Sequence, residues 1–268
     1  MPPISIGVAL HPQHTTMADL LDAFARADAL GVDAIWLWDH VSPLSGDPTG
    51  PHLECWSTLT AGGLRTRRAR VGPLVLGMAH RNPALVATMA ATLDHVLGGR
   101  LTLGVGAGWV EREHVDYGFP FGTPAERLRR LEHGIETISH RLALHNPPPV
   151  HGRIPLLVGG SGERVTLRIA ARHADIWHGF GAPDAWLAKS RVLDDWCRRL
   201  DRDPGEIARS VTVADARNEH RLGPATVQEP LLDAYAAGTT HLIFGSTAPY
   251  DLTPVEHMLT WRSWHGLA

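Results

Sequence analysis

Eight short apolar runs, each followed by a stretch of helical periodicity, constrain this 268-residue chain more than any other feature. The runs are Ile4–Leu10, Ala34–Trp38, Val71–Met78, Leu101–Ala107, Pro155–Gly159, Asp175–His178, Val211–Ala214 and His241–Phe244. They are apolar throughout rather than alternating, the pattern of strands covered on both faces. Such strands, separated by helices, form βαβ units with right-handed crossovers and hence a parallel sheet. Eight units favour closure into a (β/α)8 TIM barrel, and the chain length suits one. A doubly wound open sheet is the structural alternative.

The segments between the runs carry helix punctuation. Thr16 precedes Asp19 by three residues, and Leu20, Phe24, Ala27 and Leu30 follow at helical spacing up to Gly31. Asn82-Pro83 supplies a cap and a first-turn proline; Thr123 and Glu126 form a capping box, and Asp203 and Glu206 suggest a second. Asn146–Val150 is the one linker-like stretch and is too short to divide domains, so residues 1–268 are expected to be a single domain.

Composition narrows the function classes. A net charge of −3 suggests no nucleic-acid or anionic-membrane partner. Lys189 is the sole lysine, so the cationic side chains are nearly all arginine. Cys55 and Cys197 fit neither a disulfide framework nor a CxxC motif. No apolar run approaches the ~20 residues of a membrane span, and a cytoplasmic protein is expected.

In a barrel, ligands gather where strands end. Those positions hold His11, Trp38-Asp39-His40, Gly77, Ala107-Gly108-Trp109, Gly159–Gly162 and His178. After Pro155–Gly159, a glycine cluster runs into a helix, where close backbone approach and free first-turn amides can hold a phosphate. The alternative is a tight turn that binds nothing. Gly104, Gly106 and Gly108 have GxGxG spacing, not the GxGxxG of a dinucleotide fold; they read as room for a flat ring, or as packing at a barrel corner. His40 beside Asp39 is the candidate proton carrier. Seventeen scattered histidines, including His11 and His14, show no recognised zinc spacing, so no metal is expected.

Taken in order, Ala34–His40, Arg81–Val86, Leu93–Trp109, Glu111–His114, Tyr117–Phe121, Pro155–Glu163, Ala170–Trp177 and the Asp203 turn resemble the luciferase-like monooxygenase family, in particular its coenzyme F420-dependent oxidoreductases. The resemblance implies a flavin or deazaflavin across the C-terminal strand ends. It implies His40 as catalytic group, and Asp39, Leu76, Gly77, Ala107, Gly108, Arg112, Gly159, Gly160, Ser161, Gly162 and Glu163 as cofactor contacts. His11, Trp38, Trp109, Glu111 and His178 are the substrate-side candidates, and a homodimer is implied.

Three departures matter. Leu76 stands where relatives often have a hydroxyl, and Trp109 stands where F420-dependent sugar-phosphate dehydrogenases have a glutamate. The stretch Leu142–Pro155, after the fourth helix of the pattern, is short, so a covering insertion is missing and a more open pocket is expected. The leading expectation is an F420-dependent oxidoreductase acting on a small organic substrate. The alternatives are an FMN-dependent monooxygenase and a catalytically idle flavin-binding protein.

Overall fold

In the computed structural model, which describes residues 3–215, 227–236 and 238–268, all strands run parallel. They are β1 (Ser5–Leu10), β2 (Ala34–Leu37), β3 (Arg70–Pro73), β4 (Leu76–Gly77), β5 (Leu103–Gly106), β6 (Leu156–Gly159), β7 (Ile176–Gly179), β8 (Ala208–Asp215) and β9 (His241–Ser246). The helices are α1 (Met17–Leu30), α2 (Cys55–Gly63), α3 (Pro83–Val96), α4 (Glu111–Tyr117), α5 (Pro124–Ala143), α6 (Thr166–His173), α7 (Pro183–Arg199), α8 (Glu229–Ala236) and α9 (Thr253–Trp264).

The sheet order is β3-β2-β1-β9-β8-β7-β6-β5-β4. Its two ends, β3 and β4, are halves of one apolar run, interrupted at the cis peptide Leu74–Val75. A bridge from Val71 to Leu101 joins β3 to the chain entering β5, and the ring closes. The barrel was legible as eight strands; the third is in fact two pieces that pair with different neighbours.

Strand alternation sorts the side chains into two layers. Ile6, Val8, Leu10, Ile35, Leu37, Val71, Leu103, Val105 and Val158 face the helices in the main core. Ala9, Ala34, Trp36, Leu157 and Ile243 fill the lumen, with Leu74, Val75 and Ile176 against them. The helical layer is set by the expected caps. Thr16 Oγ1 accepts the Asp19 N–H at 3.2 Å, Asn82 Oδ1 accepts the Ala84 N–H at 2.9 Å, and Thr123 and Glu126 complete their capping box. Each such cap contributes about 1 kcal/mol. The Asp203 turn is only a three-residue 3-10 turn, Pro204–Glu206, since it runs straight into β8.

Arginine forks secure the N-terminal rim. Arg100 donates to the carbonyl of Ala69, Arg202 to those of Ala171 and Ala174, and Arg262 to that of Ile4. A planar guanidinium with five donors suits paired carbonyls better than an ammonium does, which gives the arginine bias a structural use. Residues 144–155 belong to this rim too. They lead into the start of β6, and Val150 N–H donates to Asp94 Oδ2 at 2.9 Å. Their shortness therefore opens nothing at the other end, and the expectation of a more open pocket on that ground is corrected.

Candidate active site

Among the described residues, the C-terminal rim is built from the loops that follow β1, β2, β4, β5, β6, β7 and β9. Trp38 and His40 leave β2 on the same side, separated by Asp39, which turns into the protein. Asp39 is 4% exposed, and its Oδ2 accepts the Gly77 N–H at 3.0 Å, contacts His80 Nδ1 at 3.2 Å and accepts from Arg81 at 2.7 Å. This carboxylate ties the end of β2 to the far half of the broken strand. Its visible work is holding Gly77, whose N–H is thereby spent.

His40 is partly exposed and stands edge-on to two indoles, Trp38 at 5.7 Å and Trp109 at 5.8 Å between ring centroids. Its Nδ1 lies 2.8 Å from Glu113 Oε2. Glu113 Oε1 accepts the backbone N–H of Val41 and Ser42 at 2.9 and 3.2 Å. Burial alone would push the Glu113 carboxyl up, but hydrogen bonds from His40, Val41 and Ser42 outweigh it and hold the group below the ordinary carboxylate range. The sequence points to Glu111 as a substrate-side candidate and gives no such weight to Glu113. Residues two apart on a helix point roughly oppositely, so Glu111 is exposed while Glu113 is buried against His40. The usable signal was that helical parity, applied to the Glu-x-Glu pair.

Arg112, expected on the cofactor chain, instead donates to Ser42 Oγ at 3.0 Å and to the Pro43 carbonyl at 3.3 Å. Trp38 donates through Nε1 to His52 Nε2 at 3.1 Å and lies flat on His11, centroids 4.2 Å apart. Burial, helped by the nearby His40, pushes His52 down to about 4, so it is a neutral acceptor at pH 7. His11 is 3% exposed and backs Trp38 from beneath.

Three other expectations are corrected by side-chain direction. His178 is fully buried in the lumen, with Nδ1 2.9 Å from Ser210 Oγ, and burial together with His241 pushes it down to about 3. It shares parity with Ile176 and cannot reach a substrate at the rim. Leu76 faces the helices with Val105, its partner in register. The residue that backs the mouth is Val75. A Cβ on Gly106 would sit 2.6 Å from Val75 Cγ2, and one on Gly159 2.9 Å from Val75 Cγ1. Gly104 likewise yields to the Pro73 carbonyl, 2.1 Å from its would-be Cβ. Gly104 and Gly106 thus make room for the broken third strand, the packing alternative of the two readings of this spacing. Ala107 and Gly108 continue past β5 to Trp109, and Gly108 takes φ +77° against His114.

The turn after β6 is the candidate anion cradle. Gly160 has φ +134°, and a Cβ there or on Gly162 would come within 2.9 or 2.8 Å of Thr166 at the first position of α6. No side chain caps the first turn of α6; the Leu167 N–H donates to the Gly162 carbonyl at 3.0 Å and the Gly160 N–H to that of His178 at 3.0 Å. Ser161 Oγ accepts the Phe180 N–H at 3.3 Å and the Glu163 carbonyl accepts from Trp196 Nε1 at 2.8 Å, so the turn is pinned from both flanks. Backbone amides at such a terminus suit phosphate without a lysine.

An imidazole–carboxylate pair, an indole wall and the glycine turn before α6 stand together on one rim of the barrel, its candidate ligand site. The chain belongs to the luciferase-like monooxygenase family, whose model matches residues 3–222. A relative, the F420-dependent glucose-6-phosphate dehydrogenase of Microbacterium testaceum, is 30% identical over 76% of this chain and 66% of its own length. Two solved structures share the fold. An F420-dependent secondary alcohol dehydrogenase bound to an F420–acetone adduct has TM-score 0.78 at 17% identity, covering 96% of this chain and 97% of that one. The oxygenating constituent of 3,6-diketocamphane monooxygenase from Pseudomonas putida, bound to FMN, has TM-score 0.72 at 15% identity, covering 97% and 96%. The chain spans 66–75% of the length of the first curated relatives it matches. Among the described residues no helix is long and apolar enough to cross a membrane.

Proposed function

We propose that this chain is an oxidoreductase that binds coenzyme F420, with FMN as the alternative, and acts on a small organic substrate. The observation that carries the reading is His40 fixed by Glu113 through Nδ1, leaving Nε2 as the ring's second nitrogen at an indole-walled mouth. When bound, the deazaflavin supplies hydride transfer. The protein's own residues would do the rest. The turn Gly159–Glu163 and the first turn of α6 would hold the phosphate, with Val75 and Ala107-Gly108 lining the ring side. Trp38 and Trp109 would exclude water and orient an apolar part of the substrate. His40 Nε2 would carry the proton that accompanies hydride movement, a role worth ~10²–10⁴-fold in rate. Asp39 and Arg112 would act indirectly, by holding Gly77 and the 42–43 turn. We read residues 1–268 as one catalytic domain that works as a homodimer. The ordered His40–Glu113 pair favours a working site over an idle binding protein.

Titration of the purified protein with oxidised F420 and with FMN, followed by absorbance and fluorescence, tests the reading. Saturable binding of F420, and turnover on a panel of alcohols, imines and enones that falls in His40→Ala while affinity holds, are the expected results. Failure to bind either cofactor would overturn it.

A further inference from the structure

We propose that Glu113 is a positioning residue that sets the tautomer of His40 and, with the same carboxylate, latches the turn beside it. The inference rests on the reading of His40 as the proton carrier. An ionised carboxylate can only accept hydrogen bonds. Glu113 Oε1 already takes the Val41 and Ser42 N–H groups, with Ser42 Oγ at 3.3 Å, so it is the acceptor of a turn. Oε2, 2.8 Å from His40 Nδ1, must therefore meet a hydrogen on that nitrogen. In the neutral ring the lone pair is then on Nε2, and His40 faces the mouth as a base, becoming an acid only after it takes a proton. The other tautomer would set two lone pairs against each other at a carboxylate that is 2% exposed.

The latch follows from the same helix. Glu113 and Tyr117 are one turn apart on α4, and Tyr117 Oη donates to the Val41 carbonyl at 3.1 Å while Arg112 holds Ser42 and Pro43. Helix α4 thus grips residues 41–43 and orients the imidazole that precedes them as one unit. Moving the turn and misaligning the ring are the same event.

Glu113→Gln separates the two tasks. Its amide oxygen can still accept from Val41 and Ser42, but its NH2 presents a donor to His40 and demands the hydrogen on Nε2. The test is ¹⁵N NMR of histidine-labelled protein without cofactor, with the His40 signals assigned by their loss in His40→Asn. We expect hydrogen on Nδ1 in the wild type and on Nε2 in Glu113→Gln. We also expect kcat to fall ~10²–10⁴-fold in that variant while KM and cofactor Kd change less than roughly 3-fold. Glu113→Asp, which keeps the charge, should restore the Nδ1–H tautomer and part of kcat. A wild-type ring carrying its hydrogen on Nε2 would overturn the proposal even if Glu113→Gln did not fold. So would a folded Glu113→Gln with unaltered tautomer and kcat. A protein that shows the expected tautomers but binds neither F420 nor FMN would instead defeat the proposed function and leave the Glu113 assignment standing.

Discussion

Arg81 and Asp39 form an ion pair at 2.7 Å in which the carboxylate side chain is 1% exposed and the guanidinium 17%. The second arm of Arg81 reaches Glu54 at 2.6 Å, so one arginine joins the end of β2, the cap of α2 and the loop after β4. Its guanidinium is desolvated, but Asp39 more than compensates and holds the charge more firmly than usual. Asp39→Ala would leave Arg81 and His80 facing a void where their shared acceptor had been. Breaking one side of such a buried pair costs about 3–5 kcal/mol, and Glu54 should keep the loss near the lower figure. Urea denaturation measures it; a loss under about 1 kcal/mol would mean that the pair is not structural.

Val75 and Gly106 make a second test. Alanine at 106 would press on Val75 Cγ2, and overpacking of this kind costs about 1–3 kcal/mol. Shortening Val75 to Ala in the same chain should return much of it. Thermal unfolding of the two single variants and the double should therefore be non-additive, and simple additivity would show that the two side chains do not meet.

Gly160→Ala addresses the cradle. A side chain at φ +134° is strained by about 1–3 kcal/mol, and its Cβ would push Thr166 at the head of α6. Affinity for F420, or for FMN if that is the cofactor, should drop by on the order of 10-fold or more, read by the same titration as for the wild type. An alanine variant that binds like the parent would place the phosphate elsewhere.

His178 makes the fold sensitive to acid. Its folded pKa, about 3, lies below the ordinary 6.5, so between those values the unfolded chain binds a proton that the folded chain refuses. Stability is then full above about pH 6.5 and declines as the pH falls towards 3, at ~1.4 kcal/mol per unit for this one group. His52 and His241, both pushed down to about 4, act in the same direction. Urea midpoints across pH 4–7 should fall on the acid side, and His178→Gln should flatten the slope by roughly one proton. An identical slope in the variant would mean that His178 is not buried neutral.

The barrel was readable in the sequence because burial on both faces writes itself into contiguous apolar runs, and the caps at Thr16, Asn82 and Thr123 are local events between residues three apart. The site was less so. That His40 stands at the rim could be inferred from its place after a strand, but its partner Glu113 lies 73 positions away and is chosen by helical phase, not proximity. His178 misled because a residue at a strand's end can still point into the lumen; counting parity from Ile176 would have shown it. Of the two readings of the β5 glycines, packing at a barrel corner holds for Gly104 and Gly106, which face Pro73 and Val75.

The arginine forks and the short 144–155 segment all lie at the end of the barrel away from His40, and among the described residues nothing that touches His40 comes from there. One set of fastenings is thereby kept apart from the rim that carries the candidate site. Descendants of such a chain can exchange the loops of one pole for new substrates while inheriting the fastenings of the other unchanged.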